Sequence, residues 1–174
     1  TIIALLPITI IAVVVGRRFL SLANLSMKHL DFKYQEANKV KRWMGWVRAG
    51  AEEVGGRYGI PYQAIVVQTA IETGWGKSSL FLKHNNYGGM KPSGSEPFVE
   101  LMTVEYIGGQ RKELKQKFRV WASKHDGLMG YANFFHKYPR YKTALQFPSD
   151  PYQFIEEIKK AGYATDPLYV SKLH

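Results

Sequence analysis

The distribution of apolar residues predicts an α+β chain, mainly helical, with one small β-hairpin lobe and an N-terminal membrane helix. Three observations carry this reading. An apolar run occupies Ile2 to Val15 with Thr9 as its polar member. Two later stretches, about 38–54 and Tyr62 to Glu72, are amphipathic or continuously apolar in the manner of helices. Between Pro97 and Ser123 the periodicity shortens to two, as an extended strand requires.

The first run ends at Gly16-Arg17-Arg18. It falls short of the roughly 20 residues that cross a bilayer, so a signal-peptide core or a buried helix is the alternative to an anchor. The expected organisation is an anchor over 1–18, a polar connector over 19–37 and a folded domain over 38–174. In that domain Val40, Trp43, Met44, Val47, Ala51 and Val54 recur at helical spacing, and Gly55-Gly56 is the expected stop. Pro61 suits the start of the next helix, which Gly74 and Gly76 end. Alternation over Phe98 to Tyr106, then Gly108-Gly109, then Lys117 to Trp121 reads as a hairpin. Ser123 with Asp126 resembles a capping box for a helix through Phe135, and Asp150-Pro151 and Asp166-Pro167 each pair a cap residue with a proline.

With 174 residues, 45% of them hydrophobic and 14% aromatic, the chain can bury one substantial core and carry an appendage. Its 24 Lys and Arg against 14 Asp and Glu give a net charge of +10, which suits a polyanionic partner: nucleic acid, anionic lipid or an acidic wall polymer. The absence of cysteine excludes disulfides and thiolate metal sites. No H-E-x-x-H pair, P-loop, Rossmann fingerprint or G-x-S-x-G elbow occurs, so neither a metal nor another cofactor is expected.

The residue that invites a chemical reading is Glu72, at the end of the apolar helix. Burial there raises a carboxyl pKa and keeps the proton a general acid must deliver. Trp75 can cover the carboxyl group, and the neighbouring glycines allow close approach to the backbone. An isolated Glu is more often an exposed helix-end residue, so position alone does not decide. Two-carboxylate hydrolysis of a glycosidic bond needs a second acid, and Glu96, Glu100 and Glu105 of the hairpin region are all candidates. Glu100 and Glu105 fall on opposite strand faces, so at most one of those two enters a shared cleft. The 11 tyrosines and 4 tryptophans could stack on sugar rings, although most aromatics belong to cores.

The stretch Ala64-Ile65-Val66-Val67-Gln68-Thr69-Ala70-Ile71-Glu72-Thr73-Gly74-Trp75-Gly76-Lys77-Ser78 resembles glycoside hydrolase family 73, the peptidoglycan glucosaminidase domains of autolysins and flagellar-rod hydrolases. The resemblance extends through Asn86-Tyr87-Gly88-Gly89-Met90-Lys91, with Tyr87-Gly88 where the family has Leu-Phe. It continues through Thr103-Val104-Glu105-Tyr106 and Lys117 to Trp121, and closes at Ala161-Gly162-Tyr163-Ala164-Thr165-Asp166-Pro167-Leu168-Tyr169. It covers about 40–174. It implies a lysozyme-like fold with a groove between a helical and a β lobe, and hydrolysis of the β-1,4 bond after N-acetylglucosamine. Carried over by position, Glu72 is the catalytic acid, Glu105 the β-lobe carboxylate and Tyr163 a tyrosine beside the cleft. Trp75, Asn86, Tyr87 and Tyr131 become candidate substrate contacts. The family chemistry leaves open whether a second carboxylate activates water or the substrate's N-acetyl group participates.

The implied partners are peptidoglycan strands and, through the N-terminal segment, a lipid membrane, with no nucleic acid. The expected location is membrane-anchored with the domain facing the wall. Arg17, Arg18, Lys28 and Lys33 favour the opposite orientation by the positive-inside rule, a conflict that a virion membrane would relieve. The rival functions are a lytic transglycosylase or muramidase on the same fold, and a wall-binding or structural membrane protein without catalysis.

Overall fold

A computed structural model of the chain describes residues 8–107, 110–164 and 166–173, with backbone alone for residues 8–26 and 104–107 and for Leu30 and Phe32. The chain divides into two units, residues 1–41 and 42–174.

Helix α1 runs from Ile8 to Tyr58 and supplies all of the described part of the first unit. The polar connector expected over 19–37 is therefore helical. No proline or glycine interrupts Arg17 to Met44, and the Leu, Met, Lys, Gln, Glu and Ala there all tolerate helix well. Among the described residues no helix is long and apolar enough to cross a membrane, so the expected N-terminal membrane helix finds no support there. Thr1 to Pro7 of that anticipated anchor lie outside the described residues.

In the second unit Trp43, Val47, Ala51 and Val54 form the buried stripe of α1, whereas Met44 turns outward. Gly55 and Gly56 do not end the helix. The stop comes at Gly59, whose φ of 62° is left-handed. Gly55 lies inside the last turn, where a Cβ would come within 2.6 Å of the Ile60 carbonyl oxygen.

Helix α2 spans Tyr62–Thr73, and its buried face includes Ala64, Ile65, Val66 and Ala70. The two threonines on that face bond within the helix: the Thr69 hydroxyl donates to the Ile65 carbonyl at 2.7 Å and the Thr73 hydroxyl to the Thr69 carbonyl at 2.6 Å. Gly74 caps the helix in the left-handed conformation, and the Trp75 amide donates to the Ala70 carbonyl at 2.7 Å. A short helix that the periodicity did not suggest, α3 (Ser79–His84), follows, with the Ser78 hydroxyl accepting from the Phe81 amide.

Strands β1 (Phe98–Ile107) and β2 (Gln110–Arg119) pair antiparallel, Phe98 opposite Arg119 and Ile107 opposite Gln110. The hairpin is as expected, but its return strand starts seven residues before Lys117. The polar run after Gln110 carries little strand propensity of its own and is held by pairing with β1. The expected Gly108-Gly109 turn lies outside the described residues.

Helix α4 (Lys124–Lys137) opens at Ser123, whose hydroxyl accepts from the Asp126 amide. Two 3₁₀ turns follow, Pro139–Tyr141 and Ala144–Gln146. Asp150 caps α5 (Pro151–Lys160) by accepting from the Tyr152 and Gln153 amides. At Asp166-Pro167 the helix starts later than the pair suggests: α6 covers Tyr169–Leu173, and Asp166 accepts from the Leu168 amide in a preceding turn. Leu128, Tyr131 and Phe135 of α4 and Phe154 and Ile158 of α5 complete the core with α1 and α2.

The contact between α4 and the 85–87 segment is unusually close. A Cβ on Gly127 would lie 1.9 Å from the Asn85 carbonyl oxygen and 3.2 Å from the Tyr87 ring. Gly127→Ala is expected to destabilise the domain by about 1–3 kcal/mol through overpacking. Urea unfolding should show a lower midpoint with an unchanged slope, and an unaltered midpoint would contradict this packing.

Candidate active site

A groove of about 550 Å³ runs between the end of α2, the 88–93 loop, the residues flanking the hairpin, and α4 with the turn after it. Glu72 reaches it from the last turn of α2, and Tyr131 and Tyr163 from α4 and the segment after α5. Gly88 forms part of its wall, where a Cβ would stand 3.2 Å from the Tyr131 ring and 3.7 Å from the Tyr163 hydroxyl.

The Glu72 side chain is open to solvent from the groove, yet surrounding protein displaces enough water to raise its carboxyl above the usual carboxylate range. Among the described residues no cation offsets that cost. Its charge is close enough to disfavour ionisation of Tyr131, Tyr163 and Tyr169, whose pKa values burial already raises. The Tyr131 and Tyr163 hydroxyls lie 3.3 Å apart. Both stay neutral phenols; their mutual hydrogen bond spends one of the two hydroxyl protons, so the pair has one phenol proton left for a substrate oxygen near Glu72. Tyr163 is fixed from below by stacking on Phe135, with ring centroids 5.6 Å apart.

The other groove carboxylate, Glu96, has the opposite environment. It accepts from the Ser93 amide at 2.7 Å and pairs with the Arg119 guanidinium, and these partners, with Lys137 nearby, hold its pKa below the ordinary value. Arg119 in turn lies over the Trp121 ring at 3.6 Å. Glu96 is thus an ionised structural partner of the hairpin root.

The remaining sequence candidates divide by burial. Asn86 and Tyr87, expected to touch substrate, are each 1% exposed. The Asn86 amide donates to the Met90 and Arg119 carbonyls at 2.9 Å each and accepts from the Met90 amide at 2.9 Å. Tyr87 packs between Trp46 and Phe81, at centroid distances of 6.4 and 4.9 Å, and does not line the groove. Trp75 is 47% exposed, has a φ of 59° and meets the edge of Trp43 at 6.1 Å, outside the groove lining. Glu100 pairs with Lys115 at 2.9 Å on the hairpin surface. Glu105 stands opposite Lys112 in the ladder, and its side chain lies outside the described residues. Sequence reasoning did not single out Lys137, Tyr138 or Arg140, which line the groove at the end of α4. The cations flanking Tyr138-Pro139 were the available signal.

The raised Glu72 pKa has a signed consequence. The folded state holds that proton more tightly than the unfolded chain, so stability falls as pH rises through the two pKa values. Glu72→Gln is therefore expected to melt higher than the parent near neutral pH, with the gap closing below about pH 4, under the unfolded carboxyl's ordinary value. Melting curves across pH test this, and a parent as stable as the variant at neutral pH would contradict the partial desolvation of the Glu72 carboxyl.

A family profile described as mannosyl-glycoprotein endo-β-N-acetylglucosaminidase matches residues 48–174. The peptidoglycan hydrolase FlgJ of Escherichia coli is 31% identical over 161 residues, which cover 88% of this chain and 51% of that protein. The chain thus spans about half the length of this curated relative. The glycoside hydrolase domain of Salmonella typhimurium FlgJ, truncated at its C-terminus, superposes with a TM-score of 0.60 at 30% identity, covering 77% of this chain and 92% of that one. A peptidoglycan hydrolase mutant from Sphingomonas sp. A1 gives a TM-score of 0.64 at 30% identity, covering 76% of this chain and 88% of that one. With a helical body, a two-stranded hairpin and a groove joining Glu72 to a tyrosine pair, this chain belongs to the glucosaminidase family, glycoside hydrolase family 73.

Proposed function

We propose that the chain is a peptidoglycan hydrolase that cuts the β-1,4 bond after N-acetylglucosamine with Glu72 as general acid. The observation that carries this reading is a carboxyl group facing the groove whose pKa is raised above the usual carboxylate range by loss of water, with no opposing cation among the described residues. Family membership and two relatives whose names are peptidoglycan hydrolases support the substrate class.

In the proposed reaction Glu72 delivers its proton to the glycosidic oxygen as the bond to the anomeric carbon breaks, so that the leaving sugar departs as an alcohol. The hydrogen-bonded Tyr131 and Tyr163 phenols leave one hydroxyl proton to donate at the same end of the groove. Positive charge then develops at the anomeric carbon. Either Glu105, brought by the β lobe to activate water, or the substrate's own acetamido oxygen answers it. Glu96 is a poor base, because Arg119 and the Ser93 amide already occupy its lone pairs.

Replacing Glu72 by Gln keeps the shape and removes the transferable proton, so digestion of purified wall should fall by roughly 10²–10⁴-fold. Mass spectrometry of the released fragments decides the bond. Reducing N-acetylglucosamine ends are expected; anhydromuramyl ends would assign a lytic transglycosylase, reducing muramic ends a muramidase, and no release a binding module.

The proposal also includes a location: residues 1–18 anchor the chain in a membrane, bacterial or virion, with the domain facing the wall. The apolar run Ile2 to Val15 supports it, as does a family match that begins only at residue 48. The full chain should sediment with lipid vesicles, and deletion of residues 1–35 should release a folded, active protein to the supernatant. Equal partitioning of the two proteins would refute the anchor.

A further inference from the structure

Among the described residues the groove lining holds more cations than carboxylates. Lys91, Arg119, Lys137 and Arg140 line it against Glu72 and Glu96. Glu96 is consumed by Arg119, and Glu72 is the group that must hold a proton to act. The surplus gathers at the end of α4. Lys137 donates to the neutral Ser93 hydroxyl at 2.8 Å and lies near the Glu96 carboxylate without pairing with it, which leaves two ammonium protons without a hydrogen-bond partner among the described residues. The Arg140 guanidinium lies over the Tyr141 ring at 4.9 Å and near the Tyr138 ring at 5.6 Å. Arg140 also hydrogen-bonds the Tyr141 side chain; the ring contacts and that bond hold the guanidinium in place, and its remaining donors can meet a planar anion. Among the described residues no carboxylate pairs with either cation.

Two cations that no carboxylate among the described residues pairs with directly repel each other across one groove; Glu96 near Lys137 offsets part of that charge, and the hydroxyls and acetamides of a neutral sugar chain would leave the rest unanswered. Their position fixes what could answer them. Lys137 follows Tyr131 by six residues on the same helix, roughly 9 Å along its axis, and Tyr131 marks the level of Glu72. We infer that Lys137 and Arg140 form a carboxylate-binding subsite that seats an acidic substituent of the glycan one to two sugar rings from the bond held at Glu72, so that the groove selects acidic strands over neutral ones. This rests on the peptidoglycan reading, since a wall glycan carries such carboxylates periodically: those of the peptide stems where stems are attached, and the lactyl carboxylates where they are not.

The test is equilibrium binding to the full chain carrying Glu72→Gln, with three fluorescent oligomers of equal length: a wall glycan bearing peptide stems, the same glycan stripped of them, and a neutral N-acetylglucosamine oligomer. An acidic oligomer should bind roughly tenfold more tightly than the neutral one. Tight binding of the stem-bearing oligomer alone identifies the stem carboxylates, and tight binding of the stripped one the lactyl carboxylates. Adding Lys137→Gln with Arg140→Gln should bring the ratio to near one. Lys137→Gln alone should lower it partway, and the charge-preserving Lys137→Arg should retain it. Three results overturn the subsite: equal binding of all three oligomers, a ratio that survives the double substitution, or a ratio that falls equally with Lys142→Gln, a cation outside the groove lining, since the last would mean the general field of a basic protein. Cleavage of the same oligomers by the chain with Glu72 intact separates the two claims, because binding in the expected order without cleavage refutes the hydrolase reading alone.

Discussion

The groove depends on one buried amide. Asn86 sits where the chain leaves α3, and its three hydrogen bonds tie the 86–90 loop to the last residue of β2. Backbone bonds complete the seam: the Arg119 amide donates to Met90, Val120 to Pro97 and Trp121 to His84. An isolated two-stranded hairpin is marginal in water, so this seam is what attaches the β lobe to the helical body and sets the groove's width. Every partner of Asn86 is a main-chain group, which makes the amide costly to replace: a side chain of similar size without both donor and acceptor would leave buried polar groups unpaired.

From that seam the two groove carboxylates acquire opposite characters. Glu96 lies beside Arg119, the residue that the seam holds, and is ionised by direct partners. Glu72 emerges from a helix end lined by apolar and phenolic groups and is shifted the other way by loss of water alone. Separation of acid and base roles in a hydrolase rests on such divergence of environment rather than on residue type.

Packing carries the seam's geometry to the tyrosine pair. Arg119 lies over Trp121, and the Trp121 ring presses on Gly130, where a Cβ would come within 1.9 Å of it. The next residue is Tyr131, whose hydroxyl meets Tyr163 beside Glu72. Phe134, Phe135 and Tyr141 form a continuous aromatic floor on which Tyr163 packs, with centroid distances of 5.3 to 6.3 Å. Rings in edge and stacked contact resist small displacements, so the pair is held on a rigid support, while the cations at the end of α4 stand on the exposed continuation of the same floor.

Much of this was legible from local sequence. The apolar stripe of α1 at Trp43, Val47, Ala51 and Val54, the α2 segment ending at Glu72, the alternation of β1, and the caps at Ser123 and Asp150 are each encoded within a few neighbouring residues, because helix and strand periods and cap hydrogen bonds are short-range. Helix continuity through 19–37 was encoded too, in the absence of glycine and proline, though its polar composition suggested a connector. The family resemblance pointed to Glu72 and Tyr163, but it could not tell a residue that faces the groove from one that builds it. That distinction was made by contacts distant along the chain. Asn86 bonds Arg119, 33 residues away, and Glu96 pairs with Arg119 across 23. Lys137 reaches Ser93 across 44, and Tyr131 meets Tyr163 across 32. Sequence by itself determined which segments fold as what. Only the tertiary structure decided which polar groups are spent on the fold and which remain for a ligand, because burial and pairing depend on what arrives from the rest of the chain.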